Sequence, residues 1–315
     1  MVNPAVIGIS AVSYVLPGQP VALAALAAEG KLDSPVDVLQ EFGFEGVHIS
    51  DVPADELALQ ALQRLLADET LDPETVDALY YAGAMPASHR VATGAVLQDF
   101  SYPVARLQYE CGLTNATTAG IGQAGCTGLM AAIDFAAAHL IANPAAQRVI
   151  CVSSDVLPAD AKREIIFNVI SDGACAVLIE RGATRNRILA SRRISKGYYW
   201  DATARNNEIV AAYFPTARNI IRDTLASIGL TPDDMALLIP HNVSRRSWSI
   251  LLPLIGIQPR RLFAENIGRK GHVIAADNFI NLKEVSDAGL LRSGDRALLF
   301  NFGFGAAWAA MAIEA

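Results

Sequence analysis

Short apolar runs alternate with amphipathic segments along most of the chain. The runs VDALYYAGA, QRVICVSSD, GACAVLIE, MALLIPHNV and RALLFNFGF have the length of strands and no strict polar alternation, so both faces of each are expected to be covered. Between them lie segments of helical period. In DELALQALQRLLADE, for example, Leu59, Leu62 and Leu66 share one face. The pattern predicts an α/β fold with buried strands.

One unit of this pattern appears twice. DELALQALQRLLADE leads through LDPETVDALYYA, and TARNIIRDTLASIG leads through LTPDDMALLIPH. Leu71, Pro73, Glu74 and Val76 match Leu230, Pro232, Asp233 and Met235 in step, and in each copy a proline ends the helix before an acidic turn. The copies also end alike, with ACAVLIE (174–180) matching WAAMAIE (308–314). A repeat far longer than ~50 residues predicts two similar layered units packed together rather than a solenoid. The polar stretch RGATRNR divides them, giving residues 1–185 and 186–315.

Composition narrows the class. With 315 residues, 52% of them hydrophobic, the chain can bury a large core. The N-terminal stretch lacks the basic, apolar and small-residue succession of a secretory leader, and no apolar run approaches the ~18 residues of a membrane span. A cytoplasmic protein without a membrane partner is expected. The four cysteines, Cys111, Cys126, Cys151 and Cys175, show no CxxC spacing, so reduced thiols are expected rather than disulfides or a local zinc knuckle. Charge is uneven: residues 1–180 carry 7 Lys/Arg against 21 Asp/Glu, and residues 181–315 carry 18 against 11. The basic doublets of the second part suit an acidic partner or a phosphate. No interleaving of basic and aromatic residues accompanies them, so nucleic acid is not expected.

The candidate chemistry centres on IGQAGCTGLMAAIDFAAAHLIAN. Cys126 sits between Gly125 and Gly128 where a strand-like run turns into a long helix. A helix N-terminus concentrates unpaired N–H groups and about half a positive charge, which favours a thiolate. Gly125 permits a sharp turn and Gly128 leaves room for an approaching group. Cys126 is therefore a candidate nucleophile. His241 follows the apolar run MALLI, and His272 follows Gly271 just before another helix; both lie at element ends, where catalytic groups collect. His48, His89 and His139 have no such setting and read as structural or surface residues. Metal binding by Cys126 and the two histidines is disfavoured by the long separations between them.

With these residues in place, the chain resembles the thiolase superfamily, most closely the β-ketoacyl-acyl-carrier-protein synthase III group of condensing enzymes. The resemblance is carried by FGFEGVHIS, AGCTGLMAAIDFA, SSDVLP, ISDGACAVLIE, PHNVSRRS, GHVIAADNFINLKEVSDAGLLRSGD and FNFGFGAAWA, in that order. It implies a five-layered α-β-α-β-α internal duplication that forms a homodimer. It also implies that Cys126 takes an acyl group from a thioester, that His241 assists the second half-reaction, and that the backbone N–H groups of Cys126 and Gly305 form the oxyanion hole. Acyl carrier protein or coenzyme A would present the acyl group, with no other cofactor and no metal.

Three departures from the family pattern shape the expectation. Asparagine normally follows the glycine at 271, but here the residue is His272, as in the Cys-His-His set of elongating ketosynthases; Asn278 is the fallback if the register is shifted. PVDVLQEFGF lacks the usual tryptophan and arginine for adenine, with Glu41 where the arginine is expected. Arg246 is retained among the coenzyme-contacting positions, while Ser244 replaces an asparagine. This set favours an acidic carrier protein as donor. Third, the C-terminal loop reads Gly303-Phe304-Gly305, and Phe304 is expected to shape the acyl tunnel. The leading expectation is an acyl-thioester condensing enzyme of specialised metabolism with His241 and His272 as donors. The alternatives are an acyltransferase acting on an alcohol or amine, with His241 as base, and a non-catalytic partner subunit.

Overall fold

The computed structural model describes residues 6–85, 101–166 and 168–315. In chain order the strands are β1 (Ile7–Val15), β2 (Val21–Ala22), β3 (Gly46–Val47), β4 (Ala78–Ala82), β5 (Thr117–Ile121), β6 (Arg148–Asp155), β7 (Glu164–Ile165), β8 (Asn168–Val169), β9 (Gly173–Arg181), β10 (Arg187–Ser195), β11 (Leu237–Pro240), β12 (Arg296–Gly303) and β13 (Ala307–Glu314). The helices are α1 (Leu23–Ala28), α2 (Val36–Glu41), α3 (Ala54–Asp68), α4 (Pro103–Glu110), α5 (Gly128–Ala142), α6 (Asn206–Ala226), α7 (Arg245–Ile255), α8 (Glu265–Lys270) and α9 (Asp277–Asp287).

The main sheet runs β11-β12-β13-β10-β1-β9-β6-β4-β5. Its two parts repeat one topology. β4 pairs parallel with β6, β6 antiparallel with β9, and β9 antiparallel with β1. In the second part, β11 pairs parallel with β12, β12 antiparallel with β13, and β13 antiparallel with β10. The parts meet edge to edge at Gly8 and Arg187. The boundary at 185/186 lies in the connection from β9 to β10, and β5 has no counterpart among the described residues of the second part.

Three hydrophobic clusters resolve five layers. Leu57, Leu62 and Leu65 of α3 cover one face of the first part, packing on residues such as Ala11, Ile150 and Ala176. Its other face, with Val149, Cys151 and Val177, shares a core with α5, α9 and the strands β12 and β13. The outer face of the second part, including Leu298, Phe300 and Ala310, packs on Ile220 and Ile221 of α6 and on Trp248 of α7. The expected α-β-α-β-α arrangement is present. Gly125–Ala142 has the length and hydropathy of a membrane span, yet Leu129, Ile133, Ala136 and Leu140 are fully buried in the middle layer.

Candidate active site

Residues from both parts converge at the ends of their strands. Cys126 lies in the single turn Gly125–Thr127 that opens α5, and Gly125 takes φ +52°, the left-handed region that glycine enters without steric cost. Gly128 is buried at the start of α5, and a Cβ there would lie 3.4 Å from that of Ala82, an ordinary contact distance. His241 follows the last residue of β11. His272 follows Gly271, whose φ is +64° and where a Cβ would come within 2.9 Å of Ser171 Oγ and Val47 Cγ1. His272 is fixed further by its N–H to Val169 O, 2.9 Å, and by Ser171 N–H donating to its carbonyl, 2.9 Å.

Cys126 Sγ lies 3.4 Å from His272 Nε2, and the two histidine rings are 6.1 Å apart, centroid to centroid, at 80°. The opposite nitrogen of His272, Nδ1, is bonded to Asp277 Oδ2. Asp277 is fully buried and also accepts the N–H groups of Asn242 and Val273, both at 2.6 Å. Burial alone works against a charge on His272, but the charges of Asp277 and Cys126 and its hydrogen bonds to both outweigh it, and its pKa is raised well above the usual histidine value. His241 behaves oppositely. Burial, aided by the neighbouring His272, holds its pKa well below the usual value. Its Nε2 lies 3.2 Å from the hydroxyl of Tyr213 on α6.

Asp277 was missed by reading the sequence, although the spacing in His272-VIAA-Asp277 was a signal. The tight turn at Ile274–Ala276 brings the carboxylate back beside the ring. Its neighbour Asn278, the fallback position, is committed to the scaffold. Its amide donates to the carbonyls of Ile239 and Phe300, 2.9 and 3.0 Å, and accepts from Asn301 at 2.9 Å. Asn301 in turn donates to the Cys126 carbonyl at 2.7 Å, so the asparagine pair ties the nucleophile turn to strands β11 and β12.

A cavity of about 1190 Å3 opens over this constellation. Cys126, His241 and His272 line it, together with Tyr213, Phe304 and Gly305. The loop Gly303–Gly305 presses on the nucleophile turn: a Cβ on Gly303 would lie 2.7 Å from the Cys126 nitrogen, and one on Gly125 would lie 3.3 Å from the Phe304 nitrogen. Phe304 stacks edge-on to Phe302 at 5.5 Å. Arg246 and Ser244 both border the cavity. The Arg246 guanidinium is 6.0 Å from the ring of Phe42, a wall residue the sequence did not single out. Ser244, by contrast, caps α7, its Oγ accepting the Ser247 N–H at 3.2 Å.

The other cysteines are thiols of a different kind. Burial pushes Cys111 up to about 11 and Cys151 and Cys175 higher still. His48 bonds Pro17 O through Nδ1 at 2.9 Å, and His139 meets the Tyr80 hydroxyl at 3.0 Å, so both are structural; His89 lies outside the described residues. Among the described residues no group of three His, Cys, Asp or Glu side chains is arranged to hold a metal ion.

Comparison with known proteins places the chain in a family. Residues 122–197 match the family model of 3-oxoacyl-[acyl-carrier-protein] synthase III, and residues 225–315 match that of its C-terminal part. The chain belongs to the synthase III family. It is 25% identical over 269 residues to the β-ketoacyl-[acyl-carrier-protein] synthase III of Aquifex aeolicus, covering 82% of this chain and 83% of that one. Two solved structures share the fold. ChlB3, an acyltransferase, superposes with a TM-score of 0.85 at 22% identity, covering 98% and 97% of the two chains. The priming β-ketosynthase of the R1128 polyketide pathway superposes at 0.79 with 19% identity, covering 100% and 98%. Within the synthase III frame, the Cys126-His272-Asp277 chain is the local feature that the family pattern did not predict.

Proposed function

We propose that this synthase III member is an acyl-thioester condensing enzyme that carries the acyl group on Cys126. The observation that supports it is the 3.4 Å contact between the Cys126 sulfur and His272 Nε2 at the floor of the cavity. The thiol passes its proton to Nε2 and the sulfur attacks the thioester carbonyl. The resulting oxyanion is held by the N–H groups of Cys126 and Gly305, and the departing carrier thiol takes the proton back from His272. A malonyl thioester then loses carbon dioxide, and its carbanion attacks the acyl carbon and releases the Cys126 sulfur. In this step His272, which has given its proton to the carrier thiol and regains one from solvent, is held as an imidazolium by Asp277, donates to the malonyl carbonyl, and ends paired with the released Cys126 thiolate. The donor is an acyl carrier protein or an acyl-coenzyme A, and no cofactor is consumed. The enzyme acts in the cytoplasm as a homodimer, for which the exposed outer strand β5 offers an edge unpaired among the described residues.

A second reading is favoured by Asp277 itself. A carboxylate that takes the Nδ1 hydrogen leaves a neutral His272 with a lone pair on Nε2, which is a base and not a donor. Such a base removes the proton of a hydroxyl or amine as it attacks the acyl-Cys126 carbon, giving an ester or amide. The two readings require opposite protonation states of one ring. Offering malonyl thioester to the acylated enzyme across pH separates them. Carbon dioxide release that falls as pH rises through the His272 ionisation of the acyl-enzyme, where Asp277 and not the acylated sulfur holds the proton on the ring, supports condensation. No release, with ester or amide formation that increases over the same rise, overturns condensation in favour of transfer.

A further inference from the structure

Tyr213 projects from α6 to the wall of the cavity, and its oxygen lies 3.2 Å from His241 Nε2. Its ring is fixed by edge-on contacts with Phe214, Phe302 and Phe300, at centroid distances of 4.9, 5.1 and 6.4 Å. The other nitrogen of His241, Nδ1, is buried and has no hydrogen-bond partner among the described residues. An N–H buried without an acceptor is rarer and more costly than a lone pair buried without a donor. His241 is neutral and carries one ring hydrogen, so that hydrogen belongs on Nε2 and the lone pair on Nδ1. Nε2–H then donates to the Tyr213 oxygen. The hydroxyl hydrogen of Tyr213 is left over, and the cavity is the open space it borders.

We infer that Tyr213 is a catalytic hydrogen-bond donor, its hydroxyl donating to an oxygen of the second substrate while His241 acts as the positioning residue behind it. No bond to hydrogen breaks in this role. Burial raises the phenol above its ordinary value, so it keeps its proton. The hydrogen bond strengthens as negative charge develops on the substrate oxygen. The inference rests on the thioester reading above and adds Tyr213 as a donor beside His272, in place of the direct contact expected of His241.

Tyr213→Phe removes the hydroxyl and keeps the ring. With hexanoyl-N-acetylcysteamine as donor and malonyl-N-acetylcysteamine as second substrate, the acylation of Cys126 and the melting temperature are expected to stay close to wild type. The rate constant for discharge of the acyl-enzyme falls roughly 10- to 10³-fold, with KM little changed. His241→Ala costs little more in the Tyr213→Phe background than Tyr213→Phe alone. Normal discharge by Tyr213→Phe from an acylated wild-type enzyme overturns the role of Tyr213 alone, as does a full, independent effect of His241→Ala in that background. A wild-type protein that takes no acyl group on Cys126 overturns the thioester reading and this role with it.

Discussion

The carboxylate of Asp277 decides what His272 can do. It is buried, takes two backbone N–H groups, and faces the ring nitrogen remote from the sulfur, which fixes both ring orientation and tautomer. Asp277→Asn removes the charge that most strongly favours the imidazolium, while burial continues to oppose it. The His272 ionisation is then expected to move to lower pH and turnover to fall by roughly 10²- to 10⁴-fold. The pH profile of kcat measures both, and a variant with the wild-type profile and rate would contradict the assignment. At this scale Cys126, His241 and His272 were legible because glycine and apolar runs mark the element ends on which they stand. Asp277 and Tyr213 were not. The first depends on a tight turn over 274–276 that periodicity does not specify, and the second reaches the site from the helix on the outer face of the second part.

The element that matters most is the pairing of two glycine-bearing turns. Gly125–Thr127 opens α5, and Gly303–Gly305 joins β12 to β13; they touch backbone to backbone. Gly303→Ala places a methyl group 2.7 Å from the Cys126 nitrogen and 2.9 Å from the Ala124 carbonyl, so one turn must give way. Overpacking of this kind is expected to cost about 1–3 kcal/mol in chemical denaturation, together with most of the Cys126 acylation rate. Wild-type acylation in that variant would show that the loop has no part in holding the nucleophile. The long strands and helices were readable from their apolar spacing. The short β7 and β8 pairing and the scaffold role of Asn278 depend on contacts that no local pattern encodes.

For the whole molecule, duplication is what creates the site. Each unit contributes its strand ends to one meeting place, so that the first supplies the sulfur and the second supplies both imidazoles. The duplication was legible because the matched helices, turns and strands recur in step, and a core with apolar residues on both sheet faces leaves layered packing as the solution. The cavity was not legible, since its volume depends on how far apart the layers hold their side chains. Intact-protein mass spectrometry after incubation with a panel of acyl thioesters tests the account most directly. A gain of one acyl group is expected on the wild-type chain and none on Cys126→Ala; an acyl adduct that persists on Cys126→Ala would contradict it.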